Sequence, residues 1–349
     1  MKAMTASPVP QREWDAFVAG HVDGGFLQSW RWGQLKSKSG WRAIRLGVRQ
    51  DGQLAAGLQV LVRARPLWPG GPRLGLGYVP RGPLADTSER AEVLVTAAVK
   101  VARSLGASFV RVEPPGDLAV PALQGNGFRP TSQFVQIPRT AIVDLTPSLT
   151  EILAGFKPKM RYNIRLATRH GVDISSGRSE RNFDAFMRLL RITSRREGFA
   201  IHNAAYYRDV LQVFRHDNGN LLVARHDGCE LAAIIVIGWG QTAAYAVGAS
   251  SNTRRNLMAP HVIQWAGMQW ARAQGFKRYD LWGMANPRDP MDQMAGVHRF
   301  KLGFNPRLIS YPGTFDVVLQ PIRARMLNLG LFHARHAIDR IRSRVIGAV

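Results

Sequence analysis

Between residues 94 and 105 apolar side chains recur at helical spacing, with Leu94, Ala98, Val101 and Leu105 on one face. Gly106 stands where such a helix stops, and an apolar run of strand length follows at 109–112. The same signals return further on: Ala271-Arg272, then Gly275, then a strand-like run at 279–282. Two more segments repeat in the same order. Arg49-Gln50-Asp51-Gly52-Gln53-Leu54-Ala55-Ala56 matches Arg225-His226-Asp227-Gly228-Cys229-Glu230-Leu231-Ala232-Ala233, and Gly127-Phe128-Arg129-Pro130 matches Gly303-Phe304-Asn305-Pro306. An Asp-Gly pair between two strand-forming runs predicts a tight hairpin, because those turns need positive φ. Three matches in register predict a duplicated domain. The break is expected near residue 146, with Thr146 as a helix N-cap and Pro147 at the first helical position.

Each copy reads strand, helix, hairpin, strand, helix, strand and a final hairpin. This order predicts an α/β (α+β) class with mixed sheets flanked by helices, and it resembles the N-acetyltransferase (GNAT) fold. In GNAT proteins an Arg/Gln-x-x-Gly-x-Gly/Ala segment opens the central helix and cradles a pyrophosphate. Here Arg254-Arg255-Asn256-Leu257-Met258-Ala259 has leucine where the glycine belongs, and Arg81-Gly82-Pro83-Leu84-Ala85-Asp86 also departs from the pattern. An acyl donor other than acyl-CoA is expected.

Charge sharpens the expectation. The 349 residues hold 47 Lys and Arg against 24 Asp and Glu, a net +23, which implies an anionic partner such as RNA, a phosphorylated substrate or an acidic membrane. Part of it is concentrated: Arg161, Arg165 and Arg169 recur every four residues, Lys157 extends the row, Lys159 lies between, and no acid intervenes between Glu151 and Asp173. Like charges so spaced repel, which suggests an anion ligand; a solvated face is the alternative. Cys229 is the single cysteine, excluding a disulfide framework or a cysteine-based metal cluster, and no metal site is expected. There is no His-Glu-x-x-His, Gly-x-Ser-x-Gly or Cys-His arrangement. No apolar run approaches a membrane span, so a cytoplasmic protein is expected. In the tail, 322–346 alternates apolar and arginine-rich faces. It is expected either to pack on the first domain or to lie on the anionic inner leaflet of the membrane.

Several segments carry a closer resemblance. Phe26-Leu27-Gln28-Ser29 with Trp32-Gly33-Gln34-Leu35-Lys36 is similar to the entry segment of Fem-family transferases. Tyr78-Val79-Pro80-Arg81-Gly82-Pro83-Leu84-Ala85-Asp86 resembles their Tyr-x-x-Arg-Gly-Pro-x-x-Asp signature. Lys157-Pro158-Lys159-Met160-Arg161-Tyr162-Asn163-Ile164-Arg165 resembles their basic helix, and Arg196-Glu197-Gly198-Phe199, Tyr279-Asp280-Leu281-Trp282-Gly283 and Phe300-Lys301-Leu302-Gly303-Phe304 complete the set. The resemblance implies two GNAT-like domains, 1–146 with about 311–349 and 147–310, without the coiled-coil arm of some members. It implies transfer of an amino acid (glycine, alanine or serine) from aminoacyl-tRNA to an amine on the stem peptide of a UDP-linked or lipid-linked peptidoglycan precursor, by a monomer with no cofactor.

The resemblance also assigns roles. Lys301 opposes phosphate or a developing oxyanion, Phe300 stacks on the terminal base, and Asp86 orients or deprotonates the amine, or else caps the helix after it. Lys36, Tyr78, Arg81, Arg196 and Tyr245 would face the precursor, and Lys157, Lys159, Arg161, Arg165 and Arg169 the tRNA. Two rival readings remain: a non-catalytic RNA-binding protein on a degenerate acyltransferase fold, and an N-acyltransferase still using acyl-CoA.

Overall fold

A computed structural model describes residues 4–66, 68–71, 73–215, 218–285 and 295–325. The chain divides into two compact units, residues 1–136 with 311–349, and residues 137–310. Each holds a seven-stranded mixed sheet.

In the first unit the order is β1 (Ala6–Pro8), β2 (Arg42–Gln50), β3 (Gln53–Pro66), β4 (Arg73–Pro80), β5 (Phe109–Glu113), β14 (Thr314–Val318), β6 (Arg129–Thr131). Helices α1 (Gln11–Gly20) and α2 (Trp30–Ser37) cover part of one face. On the other, α3 (Ser88–Ser104) buries Leu94, Val95 and Ala98 against Leu58, Val60 and Val62 of β3. Each buried Val or Leu among these stabilises by roughly 1.5–3 kcal/mol relative to exposure. The short α4 (Val120–Gly125) precedes β6.

The second unit repeats the plan: β8 (Asp173–Ser176), β9 (Gly219–His226), β10 (Cys229–Trp239), β11 (Thr242–Ser250), β12 (Arg278–Asp280), β7 (Arg139–Asp144), β13 (Arg307–Ser310). Helices α5 (Leu149–Gly155), α6 (Pro158–Arg169) and α9 (Ala259–Ala273) share one core with alternate residues of β9 and β10. Helix α7 (Glu180–Glu197) packs on β9, β10 and β11, with α8 (Ala204–Val213) beside β9, and α10 (Ala295–Leu302) closes the described helices of this unit.

Both Asp-Gly pairs adopt the turn their composition predicts, with φ positive at Asp51, Gly52, Asp227 and Gly228. Gly106 and Gly275 share φ +86 at the ends of α3 and α9. Two boundary expectations need correction. The division falls after Gln136, not near 146, because β7 pairs with β12 and β13 of the second sheet. The final hairpin expected in each copy is thereby split: β14 takes in the first sheet the place that β7 takes in the second. Nor does Thr146 cap the next helix. Ser148 does so, in a reciprocal capping box with Glu151, while Thr146 donates to the Asp144 carboxylate. Of the tail, residues past Arg325 lie outside the described residues, and the amphipathic segment expected there with them.

Candidate active site

In the second unit β11 and β12 run parallel but pair only at Thr242↔Arg278, Ala243↔Tyr279 and Ala244↔Asp280. A bulge helps to part them: Ile235 of β10 faces Val247 and Val236 faces Tyr245, leaving Ala246 as the extra residue of β11. Crevices beyond the carboxyl ends of parallel strands are recurrent ligand sites in α/β sheets. Tyr245, Asp280, Trp282 and Gly283 all fall at this edge.

Lys301, from the last turn of α10, reaches the same place, and only 4% of it is exposed. Its Nζ donates to the carbonyl oxygens of Gly283 (2.7 Å) and Trp282 (3.2 Å) and lies 5.8 Å from the Tyr245 ring centre. Trp282 presents its carbonyl from a left-handed conformation (φ +62), and its amide donates to Asp280 Oδ1 (2.7 Å), which also accepts from the Thr140 hydroxyl. Burial pushes the Lys301 ammonium down to about 8, with Asp280 acting in the opposite sense. Burial pushes the Tyr245 phenol up to about 12, so it stays a neutral donor. An ammonium has three N–H groups, and two carbonyls account for two of them. The arrangement can aim one charged donor at an oxygen that gains negative charge, in a site poor in water.

Phe300 precedes Lys301 and turns inward. Its half-buried ring meets His261 and Phe304 edge-on, at 5.1 and 5.4 Å between centroids. His261 was not singled out from the sequence. Its Nε2 is 3.1 Å from the Asn163 amide nitrogen and its Nδ1 3.3 Å from the Met258 carbonyl; burial lowers its pKa, with Lys159 adding a smaller push in the same direction. The signal was in the sequence: Asn163 is an amide on the apolar face of a basic helix, beside Met160, Ile164 and Ala167.

The basic row divides in two. Lys157 is the N-cap residue of α6, and Lys159, Arg165 and Arg169 are exposed. Arg161 instead donates to the carbonyls of Ala154 (3.0 Å) and Phe156, satisfying the C-terminal end of α5. Arg196 likewise serves its own unit, donating to the Ser250 carbonyl (3.0 Å), Asn252 Oδ1 (2.6 Å) and Glu197 (2.6 Å), which ties the end of α7 to the end of β11. The segment 254–259 keeps a left-handed residue on each side of its turn, Arg254 (φ +49) and Met258 (φ +55), but points Leu257 into the core. Pro260 then removes a backbone donor from the first turn of α9.

In the first unit the equivalent strands stay paired to their ends, Leu76↔Phe109 through Pro80↔Glu113. Tyr78 is buried and donates to Glu113 Oε2 (2.5 Å); burial and this carboxylate hold the phenol's pKa well above its usual value. Glu113, 1% exposed, also accepts from the amides of Val135 (2.6 Å) and Gln136 (3.0 Å) and from the Thr314 hydroxyl (3.3 Å). It was missed from the sequence, although an acid ending an apolar strand run invites a search for its partners. Arg81, with φ +48, lies 3.5 Å over the Tyr311 ring. Gln28 holds this loop: Nε2 donates to the Pro80 carbonyl (2.6 Å) and Oε1 accepts from the Gln59 amide (2.8 Å). A Cβ on Gly82 would come within 2.8 Å of the Gln28 amide and would push it from the Pro80 carbonyl. Lys36 sits 4.6 Å from the Trp32 ring centre, its pKa lowered by burial and by Arg63. Asp86 is exposed and paired with Arg90 (2.6 Å), which lowers its pKa. Thr87, not Asp86, caps α3. Among the described residues no His, Cys, Asp or Glu group is arranged to hold a metal ion, and no helix is long and apolar enough to cross a membrane.

Two sheets of this topology, each with an antiparallel hairpin and a helix after the central strand, have the fold of a tandem pair of GNAT-like domains. The FemAB family model matches residues 9–133, 122–228 and 222–330, and the chain belongs to that family. It is 25% identical over 394 aligned positions to the lipid II:glycine glycyltransferase of Staphylococcus haemolyticus (strain JCSC1435), covering 90% of this chain and 93% of that one. Identity to the Staphylococcus aureus (strain USA300) protein of the same name is 24%, with the same coverage. In fold it is similar to the crystal structure of FemX, with a TM-score of 0.82 and 22% identity over 93% of this chain and 99% of that one. A tandem GNAT protein from the clavulanic acid biosynthesis pathway follows at TM-score 0.54 and 12% identity, covering 90% and 98%.

Proposed function

We propose that the protein moves an aminoacyl group from aminoacyl-tRNA to an amine on the stem peptide of a lipid-linked peptidoglycan precursor, extending an interpeptide bridge. The observation that carries the reading is Lys301: a buried ammonium held by two backbone carbonyls at the point where β11 and β12 part. The named relatives act on lipid II with glycine, and membership of their family supports the same class of acceptor and donor.

The chemistry asks for alignment and charge stabilisation rather than a nucleophile on the enzyme. The acceptor amine attacks the ester carbonyl carbon, forming the C–N bond and a tetrahedral oxyanion. Lys301 donates its remaining N–H to that oxygen. Collapse breaks the C–O bond, and the proton shed by the nitrogen leaves on the ribose hydroxyl of the tRNA. Tyr245, a neutral phenol beside Lys301, is a second donor for the acyl group. Lys36 and Arg81 offer cations to the precursor's phosphates, and the exposed Lys159, Arg165 and Arg169 offer theirs to the tRNA backbone. Asp86 is a weak base while Arg90 holds it, so the acceptor amine must enter unprotonated or lose its proton elsewhere. Residues 254–259, with Leu257 in the core, support an acyl donor other than acyl-CoA.

The test is transfer of a labelled amino acid from a set of charged tRNAs to lipid-linked precursor, with acetyl-CoA as a competing donor. Turnover with aminoacyl-tRNA supports the reading. Tight tRNA binding with no turnover would favour a non-catalytic RNA-binding role, and acetyl transfer would favour an acyl-CoA enzyme.

A further inference from the structure

Strand β3 has 14 residues, against nine in β2 and eight in β4. Its pairing with β2 stops at Arg42↔Val62, whereas its pairing with β4 continues to Pro66↔Arg73. Pairing of β4 with β5 begins at Leu76, opposite Arg63, so the last three residues of β3 and their partners in β4 project as a two-stranded ribbon beyond the rest of the sheet, roughly 10 Å at about 3.3 Å per residue. The ribbon ends in a tight turn. Gly71 N donates to the Trp68 carbonyl (2.9 Å), with Pro69 next and then Gly70 at φ +74, the order a type II turn requires. Trp68 begins that turn with 59% of its surface exposed. Its indole lies over Gly71, where a Cβ would come within 2.5 Å of the ring, so the turn is cut to carry it.

The charge around this tip has one sign. Residues 52–85 contain no Asp or Glu, and Arg63, Arg65 and Arg73 flank the turn. Arg63 and Arg65 share a face of the ribbon by alternation, and Arg63 is close enough to Lys36 to lower its pKa. A row of cations thus runs from the precursor-facing Lys36 along the ribbon to an exposed tryptophan. Tryptophan is the side chain that settles at the boundary between headgroups and acyl chains, and arginine pairs with lipid phosphates.

We propose that the β3–β4 tip is a membrane-docking element that seats Trp68 in an anionic bilayer, with Arg65 and Arg73 on the lipid phosphates. This deepens, and rests on, the reading that the acceptor is lipid-linked: the tip would bring Lys36 to the membrane where that acceptor lies.

The experiment is sedimentation of the full chain with phosphatidylcholine vesicles, with and without phosphatidylglycerol, for the wild type, Trp68→Ser and the double variant Arg65→Gln/Arg73→Gln. All three side chains are exposed, and unchanged melting checks that the variants fold. Wild-type protein should pellet with the anionic vesicles only, and each variant should bind them about fivefold or more weakly. Trp68→Ser should transfer normally to a soluble, nucleotide-linked precursor. Wild type that transfers but does not pellet overturns docking and leaves the functional reading intact. Pelleting that depends on Trp68 supports docking even if transfer is never found. Variants that pellet like wild type, or that lose tRNA binding instead, overturn the proposal.

Discussion

The same two strands sit at the centre of both units, and they end differently. In the first unit β4 and β5 remain hydrogen-bonded to Pro80 and Glu113, and the end is sealed by Tyr78 on a buried carboxylate. In the second unit pairing stops at Ala244 and Asp280, and the opening is filled by a buried cation held on carbonyls. A sealed end has the polar groups around Glu113 satisfied internally. An opened end with a charged donor to spare can meet a reacting group. Duplication supplied two equivalent strand ends, and on the proposed function the residues lining them would give holding to one and chemistry to the other.

Replacing Lys301 with alanine should break this contrast most severely. Transfer should fall at least tenfold, about 1.4 kcal/mol of transition-state stabilisation, in single-turnover assays. The two carbonyls also lose their donor, at a cost of about 1–3 kcal/mol in urea unfolding. Full transfer by the folded variant would remove Lys301 from the mechanism. Because burial brings the ammonium down to about 8, the wild-type transfer rate, divided by the unprotonated fraction of the acceptor amine, should decline as pH rises through that value, as the charged form is lost. A corrected rate that climbs through the same range in wild type but not in Lys301→Ala would make Lys301 a base instead.

Glu113→Gln probes the sealed end. Its amide nitrogen would face the donors that Glu113 now accepts, so unfolding should become easier by about 1–3 kcal/mol while transfer per folded molecule stays within about twofold. A loss of turnover matching that of Lys301→Ala would show chemistry at both ends. A smaller effect is expected on α6. Arg165→Gln/Arg169→Gln should lower the slope of tRNA affinity against salt by about two counterions, with precursor affinity unchanged. Arg161→Gln should alter stability more than that slope, since Arg161 serves α5. Equal salt slopes for wild type and the double variant would detach the helix from the tRNA.

Much of this architecture could be read in the sequence because it is local. Asp51-Gly52 and Asp227-Gly228 specify their turns within two residues, and Gly106 and Gly275 stop their helices where they stand. Lys301 also stood out, since its repeat partner is Gly125. What escaped depends on distant pairing. β7 was assigned to the wrong unit because a strand does not encode its sheet, and Glu113 gains meaning only from Tyr78, Gln136 and Thr314. Nor does sequence spacing carry the hydrogen bonds that Arg161 and Arg196 make to carbonyls of their own unit, since a guanidinium so engaged has the same signature as one facing phosphate.

The reciprocal placement of β7 and β14 makes the order of synthesis matter. The first unit's residues up to Gln136 emerge from the ribosome long before Thr314, which opens the strand between β5 and β6. At about 5–20 residues per second that sheet waits roughly ten to forty seconds with a vacant slot. During the wait both flanking strands are bare edges, exposed to pairing with a neighbouring chain. A nascent chain halted after Ser310 should therefore be protease-sensitive in its first 136 residues and become resistant once β14 is out. Resistance before that point would show that the sheet closes without it. The same exchange fastens the duplication in place: neither copy can be lost or recombined alone, because each carries a strand of the other's sheet.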